Sequence, residues 1–234
     1  MANAPVISII LPVLNEAGGI NEIISHIRTI ASKYLVEIIV VDGDSQGSTI
    51  NTIRDAGVIT AMSPRGRGCQ MNRGAALASG GILLFLHADT HLPVNALTHI
   101  AEAMHDQRFV GGAFDLGLNT DRCIFRVTEK YVFLRTRMTR IPFGDQAIFI
   151  RSSYFKMING YKEIPLMEDV EIMSRIKRQG GLICIIPEKV LTSARRWEAE
   201  GILYCTFRNW ALQILYAFGV PPERLVRWFD TPYG

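Results

Sequence analysis

The chain is predicted to be an α/β protein with a mostly parallel central sheet flanked by helices. Three observations carry that prediction. Short, continuous apolar runs alternate with helix-periodic segments four times in the first 105 residues. The 234 residues are 48% hydrophobic and 20% charged, enough to bury a substantial core. Acids stand just beyond three of the apolar runs. Runs this short and unbroken read as strands buried on both faces, the habit of parallel sheets whose crossovers are helices.

"VISIIL" (6–11) is the first strand, ended by Pro12. Ile20, Ile23, Ile24, Ile27 and Ile30 then recur at helical spacing, so residues 19–34 form a helix with one apolar stripe. "VEIIVV" (36–41) is the second strand, and Ile50 and Ile53 mark a short helix after it. "VITAM" (58–62) is the third strand. The Gly/Arg-rich turn "SPRGRG" opens a helix that runs through Ala75, Ala76 and Ser79. "ILLFL" (82–86) is the fourth strand, and Asn95 can cap a helix carrying Leu97, Ile100 and Met104. The second half is looser. Residues 110–116, 146–150 and 182–187 read as strands, 122–140 and 168–178 as helices, and the aromatic-rich 197–218 as helical. No linker separates independent units, so one domain with two lobes is expected.

Composition narrows the function. No apolar stretch is long enough to span a membrane, and the N-terminal residues lack the basic start and cleavage site of a signal peptide. Cys69, Cys123, Cys184 and Cys205 are far apart with no C-x-x-C, which fits reduced thiols in the cytoplasm. The net charge of +3 hides an asymmetry: residues 1–121 hold 7 Lys/Arg and 11 Asp/Glu (−4), whereas residues 122–234 hold 18 and 11 (+7). The basic half suits an anionic ligand, an anionic acceptor or a membrane surface. No basic run is interleaved with stacking aromatics, so nucleic acid is not an expected partner.

In open α/β sheets, ligands sit beyond the carboxyl ends of the strands. There the chain places Asn15 and Glu16, then Asp42 and Asp44, then His87 and Asp89. Asp89 by itself reads equally as a solvated loop residue. Three such ends together need a cation or hydrogen-bond donors to offset their repulsion. No G-x-G-x-x-G follows the first strand, so a dinucleotide has no support. "VVDGDSQGST" permits a second reading, a phosphohydrolase using Asp42 and Asp44, although Gln46 stands where that pattern needs Thr or Val.

The segments "SIILPVLNEA" (8–17), "IIVVDGDS" (38–45), "GRGCQMNRGAALASGGILLFLHADT" (66–90), "FGDQAIFIR" (143–151), "PLMEDVEIMSRIKRQG" (165–180) and "SARRW" (193–197) together resemble a family 2 glycosyltransferase with the GT-A nucleotide-diphospho-sugar transferase fold. The wording of "FGDQAIFI" and "PLMEDVE" is most similar to a short bacterial branch linked with arsenosugar biosynthesis. The resemblance implies an enzyme moving a single sugar, with inversion, from a nucleotide-sugar donor, usually a UDP-sugar, to a hydroxyl acceptor, small-molecule or lipid-linked. Residues 1–121 would be the donor half and 122–234 the acceptor side. Pro12, Asn15 and Glu16 would form the first donor-binding turn, Asp42 would contact the base, and Arg67 and Asn72 would approach the nucleotide. Asp89 matches the last aspartate of the D-x-D element, which holds a divalent metal, Mn²⁺ or Mg²⁺, through the donor diphosphate. Asp169 matches the general base, with Glu168 beside it.

Two positions depart from the pattern. His87 stands where the first acid of D-x-D belongs, either as a metal ligand or as a hydrogen-bonding group, and this departure leaves open another reading, a non-catalytic relative that only binds sugar nucleotides. The Q-x-x-R-W element of processive members survives only as Arg195, Arg196 and Trp197, on the acceptor side. Asp145 and Gln146 either line the acceptor pocket or make a turn. The tail, with Ile202, Leu203, Phe207, Trp210, Ile214 and Leu215 on one face, packs on the core or meets a membrane or a second copy. Arg122, Arg126, Lys130, Arg135, Arg137 and Arg140 read as a partly solvated face, or as one that meets an anionic acceptor or phospholipid. The protein is thus expected to be cytoplasmic or peripheral at the inner membrane.

Overall fold

The computed structural model describes residues 7–31, 34–120 and 122–229; Val6 of the expected first strand lies outside them, as do the side chains of Arg196, Ile202 and Leu203. The elements run β1 (Ile7–Val13), α1 (Ile20–Ile30), β2 (Val36–Asp42), a 3-10 turn (Ile50–Thr52), β3 (Ile59–Met62), α2 (Arg67–Leu77) and β4 (Ile82–Phe85). They continue with β5 (Thr90–His91), α3 (Ala96–His105), β6 (Phe109–Asn119), α4 (Ile124–Thr139), a second 3-10 turn (Gly144–Gln146), β7 (Phe149–Arg151) and α5 (Ser152–Met157). The last are α6 (Glu168–Arg178), β8 (Leu182–Ser193), α7 (Arg195–Glu200), α8 (Ile202–Ala217) and α9 (Pro222–Phe229). No helix among the described residues is long and apolar enough to cross a membrane.

One eight-stranded sheet, in the order β3-β2-β1-β4-β7-β6-β8-β5, joins both halves of the chain. β3, β2, β1 and β4 are mutually parallel, β7 runs antiparallel to β4 and β6, and β8 is parallel to β6. Successive side chains of a strand point to opposite faces. Ile7, Ile9 and Leu11 of β1 therefore join Ile23, Ile27, Leu97 and Ile100 of α1 and α3, while Ile10 meets Met71, Phe155 and Ile172 from α2, α5 and α6 on the other face. Burial on both faces is why β1, β2 and β4 read as unbroken apolar runs, whereas β3, at the sheet edge, is largely exposed. α2 lies so close to the sheet that a Cβ on Gly74 would come within 2.4 Å of the Ile10 side chain.

The chain passes from β1 to β2 and β3 on one side, then returns to β4 on the other. Such a reversal opens a crevice at the carboxyl ends of β1 and β4.

Several boundaries differ from the sequence expectation. The helix expected through Ser79 ends at Leu77, and the Ser79 hydroxyl and N–H instead donate to the Glu37 carboxylate. The short helix at Ile50 is a single 3-10 turn. Asn95 occupies the N-cap position of α3, but its side chain makes no capping bond. The strand expected to end at Pro187 continues to Ser193, because a register shift between Phe114/Ile186 and Asp115/Lys189 leaves Pro187 out of the ladder, where its missing N–H does no harm. Gly201, at φ 92°, divides the aromatic tail into α7 and α8.

Candidate active site

The rim beyond β1, β2 and β4 is built by backbone turns that few residues tolerate. Asn15, Ala147 and Met167 all adopt left-handed conformations (φ 59°, 49° and 68°), and each adjoins an expected site residue: Glu16, Gln146 and Glu168. Such backbone costs of order 1 kcal/mol or more and concentrates at functional sites. Met167 is the N-cap of α6, so the turn delivers Glu168 and Asp169 as the helix's first residues.

The acids of the rim lie close enough to feel one another. Burial, then the nearby Asp89, pushes the Glu16 carboxyl above its ordinary value, against the pull of Arg195. Burial pushes Asp145 up to about 6, with Asp169 and Asp89 adding to it and Arg135 and Arg67 opposing. Burial and then Asp169 push Glu168 up to about 7, with Arg67 opposing. β1, β4, the Gly144–Gln146 turn and α6 thus gather Glu16, Asp89, Asp145, Glu168 and Asp169 around three cations, Arg67, Arg135 and Arg195. Arg67 begins α2 and is exposed, and Arg195 begins α7, where its Nε and N–H both donate to the Ser193 hydroxyl.

Asp169 is half-buried and held in one orientation. Its Oδ2 accepts the Gly144 N–H at 2.7 Å and its Oδ1 accepts the Val170 N–H at 2.7 Å. Its position at a helix N-terminus favours an anion there. His87 lies alongside: a Cβ on Gly144 would sit 3.0 Å from His87 Nε2 and 3.5 Å from Asp169 Oδ2, so a side chain there would press the imidazole aside by a few tenths of an ångström. The Oδ1 of Asp145 is shut off from water without a hydrogen-bond partner. Asp89 is half-exposed, and among the described residues its Oδ1 accepts a 3.4 Å contact from Thr90.

Other expected site residues are turned to building the rim. Asp42 is fully buried, and its carboxylate accepts N–H groups from Asp44 (3.0 Å), Thr49 (2.8 Å) and Ile50 (3.2 Å). It organises the loop after β2. With no exposure, it has no access to a substrate as a phosphohydrolase nucleophile. Asn72 uses both ends of its amide on the backbone of Tyr161, at 2.9 Å each. Gln146, also fully buried, accepts from Arg135, Thr136 and the Phe143 N–H at 3.1 Å each and donates to the Phe114 carbonyl at 2.9 Å. Trp197 packs on Phe125, ring centroids 6.4 Å apart, in a small cluster with Leu118 and Ala194. Pro12 pairs with Val41 within the sheet. Arg196 lies in α7, its side chain outside the described residues.

Three residues that sequence reasoning did not assign to the site belong to its frame. Gln70 donates to the carbonyls of Val13 (2.7 Å) and Val41 (2.9 Å), tying the ends of β1 and β2 together. Arg135, expected on a solvated face, stacks over Phe143 at 3.4 Å from the ring centroid and feels Asp145 and Asp169. Tyr216 of α8 is pushed up by burial and then by Glu171, with Asp169 also contributing, so α8 passes near the same corner. None had a local sequence signal: the partners of Gln70 and Tyr216 are remote in the chain, and those of Arg135 lie beyond the end of its helix.

A divalent cation fits this rim only when a ligand completes its coordination. Among the described residues no three His, Cys, Asp or Glu side chains are grouped to hold a metal. Asp89, with an accessible carboxylate, could supply one oxygen and leave the remaining positions to phosphate oxygens and water, as Mg²⁺ in particular commonly binds.

Comparison with known proteins identifies the family and the fold. The model of the family described as Glycosyl transferase family 2 matches residues 8–160. The chain belongs to glycosyl transferase family 2. A probable glycosyltransferase of Sulfolobus acidocaldarius is 24% identical, the match covering 78% of this chain and 44% of the relative. The chain thus spans less than half the length of that curated relative. Among solved structures, a mannosyltransferase from Pyrobaculum calidifontis in complex with GDP-Man and Mn²⁺ superimposes with a TM-score of 0.64 at 20% identity, covering 82% of this chain and 57% of that one. Glucosyl-3-phosphoglycerate synthase from Mycobacterium tuberculosis, in complex with Mn²⁺, UDP and phosphoglyceric acid, gives 0.63 at 18% identity, covering 93% and 80%. The fold of this family 2 member is GT-A.

Proposed function

We propose that the protein is an inverting glycosyltransferase that moves a single sugar from a nucleoside-diphosphate donor, a UDP-sugar by its sequence pattern, to a hydroxyl acceptor. The observation that carries this reading is the gathering of Asp89 from the donor half and Asp169 from the acceptor half around one corner, with Arg67 and Arg195 at its mouth. The GT-A fold and the family match support it. The branch linked with arsenosugar biosynthesis remains the one its wording most resembles.

In this reading, the donor lies across the ends of β1, β2 and β4. Asp42 acts on the base through the loop it holds. Arg67 and Arg195 face the diphosphate and stabilise the charge that grows as it leaves. Asp89 would hold a divalent cation, whose chemistry is to neutralise the same charge. His87 is a ligand to it or a hydrogen-bonding group beside the base. Asp169 takes the acceptor hydroxyl's proton while that oxygen bonds the anomeric carbon. The bond from that carbon to the β-phosphate oxygen breaks on the opposite face, and the nucleoside diphosphate leaves with the electron pair.

The test uses UDP-GlcNAc and GDP-mannose as donors and water as the acceptor, reading released UDP or GDP. Asp169→Asn removes the basic oxygen and keeps the size. Turnover is expected to fall by about 10²-fold or more with donor affinity nearly unchanged. An Asp169→Asn enzyme that keeps near-normal turnover would overturn the assignment of the base.

A further inference from the structure

α4 and α8 carry apolar side chains that stand exposed, with nothing among the described residues covering them. On α4, Val127, Leu134 and Met138 (74% exposed) lie at helical spacing from Tyr131. On α8, Phe207, Trp210 and Ile214 form the matching stripe, continued by Phe218 (85% exposed) at the helix end. Tyr131 stacks on Trp210 with ring centroids 4.9 Å apart, and Phe207 meets Trp210 at 5.9 Å. The two stripes therefore join into one ridge. Isolated exposed apolar residues are ordinary on a protein surface, but a joined aromatic and aliphatic ridge marks an interaction site.

The charges around the ridge select its occupant. α4 carries four cations and one acid, Glu129, which is buried and already bound by Arg126 and Lys189. Lys130, one helical turn from Leu134, and Arg140, just beyond the helix, are exposed. α8 contains no acid, and its single cation, Arg208, turns inward to Glu200. A second copy docked by a twofold axis would set these cations against themselves, with no free acid on either helix to pair them. Lipid phosphates supply that charge, while the aromatic and aliphatic side chains enter the boundary between headgroups and acyl chains.

We propose that the α4–α8 ridge docks on the surface of a bilayer containing anionic phospholipid. The docked face borders the candidate site, because Arg135, one turn beyond Tyr131 on α4, stands beside Asp145 and Asp169. Docking does not depend on the proposed reaction, and its test uses no donor.

The full chain is floated with vesicles of phosphatidylcholine alone and with vesicles of equal parts phosphatidylcholine and phosphatidylglycerol. Binding to the mixed vesicles is expected to exceed binding to phosphatidylcholine by about tenfold or more. It should weaken as salt rises from about 0.1 M to about 1 M, where the Debye length falls to about 3 Å. Phe207→Ser with Phe218→Ser, and separately Lys130→Gln with Arg140→Asn, should each lower binding by about tenfold. All four positions are exposed, and an unchanged melting temperature confirms that each variant folds. A folded wild-type protein that ignores the mixed vesicles would overturn the proposal. So would vesicle binding that survives both double substitutions, or a stable dimer, seen by sedimentation, that they dissociate in a chain that does not bind vesicles.

Discussion

Glu168 and Asp169 are adjacent in the chain but differ in surroundings. Asp169 is half-buried with both oxygens held by N–H groups, whereas Glu168 is 6% exposed and pushed up to about 7 by burial and by Asp169. The sign of the consequence follows from proton counting. Below about pH 4.5 Glu168 is protonated in both the folded and unfolded chains. Between there and about pH 7 the folded chain keeps a proton that the unfolded chain has released, so stability falls as pH rises through that window. Asp145, raised to about 6, adds in the same direction. Glu168→Gln should therefore flatten the decline in urea midpoint between pH 5 and pH 8, gaining up to about 3 kcal/mol relative to wild type at the alkaline end. An unchanged pH profile would mean that Glu168 is not held neutral. The same variant controls the choice of base: if it loses turnover and Asp169→Asn does not, the proton acceptor is Glu168. At this scale, the sequence pattern placed the acids at the strand ends but could not distinguish contact from support, as the fully buried Asp42 illustrates. Asn72 and Gln146 look like ligand-binding amides, yet their partners Tyr161 and Phe114 lie 89 and 32 residues away, and only folding reveals them.

Gln146 joins three elements, and its loss should be felt by all of them. Its amide connects the Gly144–Gln146 turn to α4 through Arg135 and Thr136 and to β6 through Phe114. Gln146→Leu keeps the volume but strands a buried hydroxyl, a carbonyl and an N–H. A loss of about 2–4 kcal/mol in chemical denaturation is expected. A loss under about 0.5 kcal/mol would contradict this structural role. Elements with a local cause were legible beforehand. β1, β2 and β4 are apolar because both faces are covered, and α1 and α6 follow their periodic stripes. Elements with a remote cause were not. β5 is two residues long and exists only by pairing with β8, and β8 passes Pro187 only because β6 accommodates the register shift.

Across the whole molecule, the acidic first half and the basic second half are joined by one sheet, and the candidate site lies where they meet. The first half brings Glu16 and Asp89 to the rim, and the second brings Asp145, Glu168, Asp169 and Arg195. The alternation of strands and helices was enough to foresee the α/β class, while the antiparallel insertion of β7 between β4 and β6 was not, since β7 pairs with residues of β4 and β6 that are remote from it in the chain. Carboxylates this close, with Arg67 and Arg195 beside them, form a site whose repulsion a cation and a diphosphate would together relieve. Calorimetric titration with UDP and with GDP, each with Mn²⁺, tests that claim most directly. The account predicts saturable, metal-dependent binding of at least one of them and a higher melting temperature in its presence. It also predicts that Asp89→Ala, folded as judged by its own melting curve, binds at least about tenfold more weakly. Absence of heat and of any thermal shift with both nucleotides, or binding that Asp89→Ala leaves intact, would contradict it.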